Sequence, residues 1–325
     1  MKRTFTLLAL IGAFVCNLFA ANPYDNTDTI FVAKDGSGEF TTIGEGIEAC
    51  RAFMEYHKVI YVKKGRYCEK LVLPSWLTNV EICGEDPETT ILTNNDHANK
   101  LVPGTRLIIG TFRTYTLRVD GDDIVIKNLT IENNAPRYGQ AVALHTEGTR
   151  ILFLNCRMLG NQDTVYTGSE EGRVLFKDCY IEGTTDFIFG PSTAWFENCE
   201  IRSKSDSFVT AASTAKGVKY GYVFNNCRLT AEPQVTKVYL GRPWRPYAYT
   251  LFMNCDLGKH ILPTGWQDWG KKENRLTTTY LEYNNRGEGA ATQQRADWTR
   301  QLTSKEAGEI TMESVLQLSD WANKP

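Results

Sequence analysis

A four-residue pattern recurs five times in the middle of this 325-residue chain. Each copy reads phenylalanine, any residue, asparagine or aspartate, and cysteine, and the five cysteines are Cys156, Cys179, Cys199, Cys227 and Cys255. Successive cysteines are 23, 20, 28 and 28 residues apart, and Asn128-Leu129 forms an earlier copy with leucine in place of cysteine. Periods of this length are typical of chains in which one structural unit stacks on the next.

Short apolar segments accompany these repeats, and Gly, Asn, Asp and Thr clusters separate them. The segments are 124–126, 151–154, 173–176, 222–224 and 250–253. They indicate short strands, and no long helical pattern lies between them, which disfavours leucine-rich and βαβ units. We therefore predict an all-β fold, a right-handed parallel β-helix. In it the repeated Phe and Cys point into the core, and the asparagines stack and satisfy backbone groups of the turns.

The cysteines of the repeat occupy positions expected in the core, since cysteine behaves as a small buried apolar residue. A metal site needs ligands that converge on one point, whereas these cysteines are spread along an axis, and the four histidines lack ligand spacing. We expect neither a metal nor a cofactor. Adjacent coils bring cysteine Cα atoms within disulfide range, so a Cys179–Cys199 bridge and a row of free buried thiols both stay open.

The overall composition indicates one large domain without a strong charge. The net charge is −2, the pI is about 6.2 and 42% of residues are hydrophobic. A chain this close to neutrality does not present the basic surface that nucleic acids require. We predict a single β-helix domain over residues 21–325, which acts as a monomer.

The first twenty residues have the features of a secretory signal peptide. Lys2-Arg3 is basic, residues 7–19 are apolar, and Ala20-Ala21 is a small-residue cleavage zone. The apolar stretch is too short to span a membrane. We therefore predict a signal peptide over 1–20 and export to the periplasm or out of the cell.

Both ends of the predicted solenoid carry helix-like patterns. Ile43, Ile47, Cys50 and Met54 form an apolar face, which predicts a helix from Thr42 to Tyr56 that caps the open end of the β-helix. Residues 304–317 predict a terminal helix within a polar tail. The irregular stretch 93–112 predicts a long excursion between strands.

Two aspartates occupy the same place in consecutive repeats. Asp163 follows Cys156 by seven residues, and Asp186 follows Cys179 by seven. In a parallel solenoid, equal offsets stack the two carboxyl groups on strands roughly 4.8 Å apart. One then holds a proton while the other ionises, which suits a general acid beside a nucleophile or base. Asp206 follows Cys199 by seven as well, but its Lys-Ser-Asp-Ser setting lacks the aromatic residues that follow the other two.

Five segments of the chain resemble the pectin methylesterases, which remove methyl groups from pectin. They occur in that family's order and are Gly65-Arg66-Tyr67-Cys68-Glu69, Gln140-Ala141-Val142-Ala143-Leu144, Gln162-Asp163-Thr164-Val165-Tyr166, Asp186-Phe187-Ile188-Phe189-Gly190 and Leu240-Gly241-Arg242-Pro243-Trp244. The resemblance runs from about residue 31 to the end. It implies a parallel β-helix, as the repeats do independently, with methylated pectin as the substrate.

The resemblance also implies a role for each polar residue. Asp186 would attack the ester carbonyl and form an acyl-enzyme, and Asp163 would serve as general acid and then base. Gln140 and Gln162 would donate to the oxyanion. An aspartate before Phe-Ile-Phe-Gly can also simply cap a turn. Neighbouring residues of a strand point to opposite faces, so Gln162 and Asp163 can both serve only if the backbone bends, which Gly160-Asn161 would permit.

The remaining expected site residues hold the nucleophile or line the cleft. Arg242 would clamp Asp186 through two parallel hydrogen bonds. Trp244 would offer a flat face to a sugar ring. Phe189, Tyr166 and Trp266 are further candidates for the cleft wall, with core packing as the alternative for each.

Other β-helix proteins that act on pectin are the competing interpretations. A polygalacturonase-like hydrolase also uses clustered aspartates, and a lyase needs a calcium site of several acidic oxygens. A non-catalytic carbohydrate-binding solenoid would need none of the polar residues together. The glutamine pair fits acyl transfer better than cleavage of a glycosidic bond.

Overall fold

The chain winds through three parallel β-sheets in a repeating order, and a computed structural model describes residues 28–321. Sheet A consists of Ile30–Val32, Lys58–Val62, Val80–Gly84, Val125–Lys127, Ile151–Leu154, Arg173–Lys177, Thr193–Glu197, Tyr222–Asn225, Tyr249–Met253, Thr279–Tyr283 and Arg300–Gln301. Sheet B consists of Gly65–Cys68, Thr90–Asn94, Thr130–Asn133, Arg157–Leu159, Tyr180–Gly183, Glu200–Ser203, Arg228–Ala231 and Asp256–Leu257. Sheet C consists of Leu71–Leu73, Leu117–Val119, Leu144–Thr146, Val165–Thr167, Ile188–Gly190, Phe208–Ala212 and Tyr239–Gly241. From Lys58 to Gly241 each coil contributes one strand to A, then B, then C, and the remaining strands extend sheets A and B at the ends, so the predicted parallel β-helix is confirmed.

The repeated phenylalanines form a continuous stack inside the solenoid. Their order along sheet A is Phe153, Phe176, Phe196, Phe224 and Phe252, each directly paired with the next. Neighbouring ring centroids lie 4.3 to 4.9 Å apart with interplanar angles of 11° or less. All five rings are fully buried, and the repeated cysteines are at most 2% exposed. The prediction that both positions fill the core is confirmed.

The repeated asparagines stack, but they do so through one another rather than through backbone groups. Each lies in the left-handed region at the turn from sheet A to sheet B, with φ of 57° at Asn128, 49° at Asn155 and 57° at Asn254. Asn155 Nδ2 donates to Asn128 Oδ1 at 2.9 Å, whereas its backbone N–H donates to Lys177 O at 3.0 Å. The backbone is already paired with the next coil, so the expectation that side chains satisfy it is wrong. Asparagine suits the position because it tolerates positive φ.

The cysteine row consists of free thiols, so of the two alternatives the row of free buried thiols is right and the Cys179–Cys199 disulfide is wrong. Cys179 Sγ donates to Phe153 O at 3.4 Å and to Lys177 O at 3.3 Å, and Cys199 Sγ makes the same two kinds of contact. Each thiol thus turns towards carbonyl groups of its own and the preceding coil. Burial raises the pKa of both thiols well above their usual range, which makes them unreactive core residues.

The N-terminal helix is shorter than predicted. It spans Ile43–Glu48 rather than reaching Tyr56, and a capping box of Thr42 and Glu45 begins it. The chain leaves the helix at Ala49, and Phe53 then adopts a left-handed φ of 55°. The apolar pattern continued beyond the helix because Met54 reaches the core from the following loop, where it is 3% exposed.

The predicted terminal helix is in fact two short helices, Ser304–Gly308 and Met312–Leu316. Thr311 begins the second with its own capping box, which explains the break. Val315 and Leu316 pack with Trp321 on the outer face of sheet A, against residues that include Leu175 and Trp195.

The predicted excursion is present between strands Thr90–Asn94 and Leu117–Val119, so it begins slightly later than residue 93. An antiparallel bridge between Leu101 and Ile108 makes it a hairpin, and a 3₁₀ turn, Thr111–Arg113, returns the chain to sheet C. The predicted signal peptide lies outside the described residues. No helix among residues 28–321 is long and apolar enough to cross a membrane.

Candidate active site

A cavity of about 300 Å³ opens on the outer side of sheet C. It is lined by Thr111, Phe112, Gln140, Gln162, Asp163, Asp186, Phe189, Ala211, Arg242, Trp244 and Trp269. All five polar residues that the sequence nominated therefore meet at one place, although they come from segments up to a hundred residues apart.

Register explains why the two aspartates are neighbours. Val165 pairs with Ile188, and each aspartate lies two residues before one of these positions on an adjacent coil. Asp163 N donates to Thr185 O at 3.0 Å, and Asp186 N donates to Phe208 O at 2.9 Å. The two residues are 8% and 6% exposed, so both carboxyl groups lie in a largely dry environment.

The backbone bends at Asp163 itself, which allows Gln162 and Asp163 to face the same cavity. The φ angle of Asp163 is 66°, and that of Asp186 is 49°. Regular strand begins only at Val165, so alternation of side chains does not apply at the pair. The expected bend at Gly160-Asn161 is therefore displaced by two residues. Gly160 is required for a different reason, because a Cβ at this position would lie only 2.6 Å from Thr164 Oγ1.

Arg242 clamps Asp186 as expected. Its Nε donates to Asp186 Oδ1 at 3.0 Å, and its Nη2 donates to Oδ2 at 2.7 Å. The preceding residue, Gly241, has no room for a side chain, because a Cβ would lie 2.1 Å from Thr210 Oγ1. This close approach of the strands brings the arginine to the level of the aspartate, with its backbone N–H donating to Thr210 O at 3.0 Å.

The two carboxyl groups have different electrostatic surroundings. Burial raises the pKa of Asp163 well above its usual range, the neighbouring Asp186 raises it further, and Arg242 opposes only part of that rise. Burial also raises the pKa of Asp186, but the two hydrogen bonds from Arg242 oppose it directly. The shared proton therefore resides on Asp163, while Asp186 is the carboxylate.

Asp206 shows where the offset rule fails. Ile188 pairs with Thr210, so Phe208 and not Asp206 is aligned with Asp186 on the next coil. Two extra residues in that coil displace Asp206 from the cavity. Its Oδ1 instead accepts from Thr236 N at 2.8 Å and Lys237 N at 2.9 Å, and these bonds lower its pKa. Its exclusion from the site on sequence grounds is confirmed.

The aromatic predictions are partly right. Trp244 and Phe189 line the cavity, whereas Tyr166 lies beside it on the neighbouring coil, with its ring centroid 4.7 Å from that of Phe189. Trp266 does not belong to the cleft: it is 2% exposed, stacks on Tyr280 at 4.1 Å and donates from Nε1 to a buried glutamate. Its strand-like position points it into the solenoid, so core packing was the correct alternative.

Four cavity residues escaped the sequence analysis, namely Thr111, Phe112, Ala211 and Trp269. Trp269 lies only three residues after Trp266, and a second tryptophan that close to a core tryptophan was the available signal. Thr111 and Phe112 lie on the excursion, which has no repeat to place them. Among residues 28–321, no group of three or more His, Cys, Asp and Glu side chains is arranged to hold a metal ion.

Comparison of the sequence with known families gives a match over nearly its whole length. A model of the Pectinesterase family matches residues 29–319. The chain is 37% identical over 295 residues to Pectinesterase 31 of Arabidopsis thaliana, which covers 89% of this chain and 92% of that protein. Several other plant relatives are longer, and the chain spans about half of their length.

Solved structures agree with the sequence comparison. Pectin methylesterase from carrot has a TM-score of 0.84 and 30% identity, over 90% of this chain and 94% of that one. A pectin methylesterase in complex with a hexasaccharide has a TM-score of 0.79 and 29% identity, over 91% and 98%. These matches favour an esterase over a polygalacturonase-like hydrolase, a lyase or a binding-only solenoid. The chain belongs to the pectinesterase family of carboxylic ester hydrolases and hydrolyses the methyl esters of pectin.

Proposed function

We propose that Asp186 is the nucleophile and Asp163 the general acid and base of this hydrolysis. The supporting observation is the asymmetry of the pair, since Arg242 holds Asp186 in two hydrogen bonds while burial favours a proton on Asp163. An Asp186 oxygen attacks the ester carbonyl of a methyl galacturonate. The carbonyl–methoxy bond then breaks, and methanol leaves with the proton of Asp163, which produces an anhydride between Asp186 and the substrate.

Water completes the cycle in the second half of the reaction. Asp163, now ionised, takes a proton from a water molecule as that water attacks the galacturonyl carbonyl. The anhydride bond breaks, the polymer leaves with a carboxyl group, and the carboxylate of Asp186 is restored beside Arg242. The nucleophile and the proton carrier both return to their starting states.

Gln140 and Gln162 are the proposed oxyanion donors. Both line the cavity with the two aspartates, and Ala141 N donates to Gln162 O at 3.0 Å, which places the glutamines on adjacent coils. A side-chain amide donates without carrying charge, so it stabilises the tetrahedral anion without forming an ion pair with either aspartate.

The polymer would bind over the aromatic wall. Phe112, Phe189, Trp244 and Trp269 line the cavity and present apolar ring surface to sugar faces, and a solved relative binds a hexasaccharide. We also propose that the enzyme is a monomer with one domain over 21–325, exported by its first twenty residues.

Methanol release from highly methylated pectin tests the assignment. Asp186→Asn removes the nucleophile and is expected to lower kcat by at least about 10³-fold. Asp206→Asn is the matched control, because it has the same offset in its repeat and the same change of charge, and it should retain full activity. Methanol release at the wild-type rate by the Asp186→Asn variant would show that Asp186 is not the nucleophile.

A further inference from the structure

The guanidinium group of Arg242 lies between two aromatic rings. Its central carbon is 4.0 Å from the ring centroid of Phe208 and 3.9 Å from that of Trp269. Two rings this close to one carbon cannot share a face, so they cover opposite faces of the guanidinium. The only direction left for its hydrogen-bonding edge is in the plane between the rings, where it meets Asp186.

Phe208 is positioned by its strand and by its backbone contact with Asp186. Phe208 begins a strand of sheet C, and its ring stacks on Tyr239 of the next coil at 5.1 Å with an angle of 16°. Its carbonyl oxygen accepts the backbone N–H of Asp186 at 2.9 Å, so the phenylalanine and the carboxylate are fixed to each other. This backbone hydrogen bond is what fixes the position of Phe208 relative to Asp186, and the Tyr239 ring makes no contact with Arg242 of the kind that Phe208 makes.

Trp269 reaches its position through a strained backbone. Its φ is 64°, a left-handed value that is unfavourable for a bulky residue. Neighbouring contacts hold it there: Trp269 N donates to Gln267 Oε1 at 2.6 Å, and the buried Asp268 accepts from Gly270 N and from Arg275 Nε. A strained residue at a site is a sign that its exact placement matters to function.

We propose that Phe208 is a positioning residue of the reaction, which together with Trp269 forms an aromatic clamp that keeps Arg242 coplanar with the carboxylate of Asp186. This inference rests on the proposed roles of Asp186 and Arg242. Trp269 lines the cavity and can also touch the substrate, whereas Phe208 does not line it and acts only through the arginine. Cation–π contact on both faces supplies the attraction.

Loss of the clamp changes the nucleophile in a defined direction. A guanidinium that tilts out of plane keeps one hydrogen bond to Asp186 instead of two. The charged and titratable groups that face Asp186 are Arg242, Asp163 and the buried Tyr280, and of these Arg242 alone opposes the rise in its pKa. Weaker contact with Arg242 therefore raises the pKa of Asp186, and less of the nucleophile is ionised at acidic pH.

Kinetics of Phe208 variants test the clamp by methanol release. Phe208→Leu removes the ring but retains apolar bulk, and it should lower kcat roughly tenfold with KM unchanged within about twofold. The acid limb of the pH profile of kcat/KM should move to higher pH. Phe208→Tyr keeps the ring and should restore both quantities. Tyr239→Leu, which removes the next ring of the stack, should change neither.

Each outcome decides the proposal. Wild-type kcat and an unmoved acid limb in Phe208→Leu would overturn it, as would equal losses in Phe208→Leu and Tyr239→Leu without a shift of the limb, since that pattern indicates a structural role only. If Phe208→Leu does not fold, Phe208→Met supplies the same comparison. A failure of the proposed chemistry is distinguishable, because Asp186→Asn would then remain active whatever the Phe208 variants do.

Discussion

At the scale of single residues, the site separates two identical carboxyl groups by their surroundings. Asp186 has a guanidinium partner, and Asp163 has burial and a neighbouring negative charge. Activity is therefore expected to fall on both sides of an optimum. It falls at low pH as Asp186 is protonated, and at high pH as Asp163 loses the proton that methanol needs.

The burial of Asp163 also destabilises the folded protein at neutral pH. Its pKa is raised in the folded state, so the folded protein binds the proton more tightly than the unfolded chain does. The stabilisation that comes from this tighter proton binding is fully present below the unfolded pKa near 3.9, and it is lost as pH rises through the folded pKa. Asp163→Asn should then raise the free energy of unfolding at neutral pH, because asparagine has no proton to lose in this buried place.

Urea unfolding at two pH values measures this effect. Asparagine tolerates the left-handed φ of 66° at residue 163, so the exchange should not strain the turn. The gain should be present at pH 7 and shrink towards pH 3, where Asp163 is protonated in both states. A variant less stable than wild type at pH 7, or a gain independent of pH, would contradict the assignment of the proton.

At the scale of elements, residues with left-handed φ form the turns that lead the chain from one sheet to the next. Asn128, Asn155 and Asn254 adopt left-handed φ at the turn from sheet A to sheet B. Asp163 and Asp186 adopt the same conformation just before sheet C. The proposed catalytic aspartates thus use a backbone geometry that the solenoid already requires elsewhere, which aims their side chains out of the regular alternation.

Variants of Asn155 test whether the left-handed φ at this turn is what selects asparagine. Asn155→Ala places alanine, which tolerates the left-handed region less well than asparagine, at a φ of 49° and removes the bond from Nδ2 to Asn128, so we expect a loss of about 1–3 kcal/mol in the free energy of unfolding. Asn155→Gly removes the same bond but tolerates the angle, and should cost less. Equal losses in the two variants would show that left-handed geometry is not what selects asparagine. Urea denaturation curves give both values.

At the scale of the whole molecule, a buried ion pair closes the C-terminal end. Arg295 and Glu282 are 5% and 2% exposed in their side chains and form two hydrogen bonds, of 2.8 and 3.1 Å. Arg295 also donates to the carbonyls of Leu262, Pro263 and Gly289. It therefore connects the last coil to the tail that follows it.

Removing this arginine should destabilise the whole chain without affecting the chemistry. Arg295→Met leaves the buried Glu282 without its charged partner, with Trp266 Nε1 still donating to it, and we expect a loss of about 3–5 kcal/mol. Arg286→Met is the matched control: its pair with Asp256 is exposed and 3.7 Å long, so the loss should stay within about 1 kcal/mol. Unfolding midpoints compare the two, with kcat of the folded Arg295→Met variant expected to match wild type. Equal losses would contradict this role of the pair.

The sequence predicts strand pairing and site residues well where the repeat is regular, and poorly where it is not. Its period encodes the register, so the phenylalanine stack, the sheets and the pairing of Asp163 with Asp186 follow from it. Where the period changes, prediction fails: two additional residues remove Asp206 from the row. Phe112 lies on an excursion outside any repeat, and the thiols remain free because their orientation is set by the packing around them.

The helices illustrate a second limit. An apolar spacing of three and four residues is satisfied by Ile43 and Ile47 on a helix and by Met54 on the loop after it. The pattern records which residues are buried, not which secondary structure buries them. Trp266 and Trp269 show the same ambiguity within four residues, because one fills the core and the other lines the cavity.

Trapping of the acyl-enzyme is a direct test of Asp186 as the nucleophile. In Asp163→Asn the base for the second half of the reaction is absent, while a nitrophenyl ester of galacturonate needs no acid to lose its leaving group. We expect a burst of one nitrophenol per enzyme molecule and a galacturonyl adduct on Asp186, located by mass spectrometry of the peptide that contains it. Steady nitrophenol release without a burst, with Asp186 unmodified and the adduct absent, would contradict it.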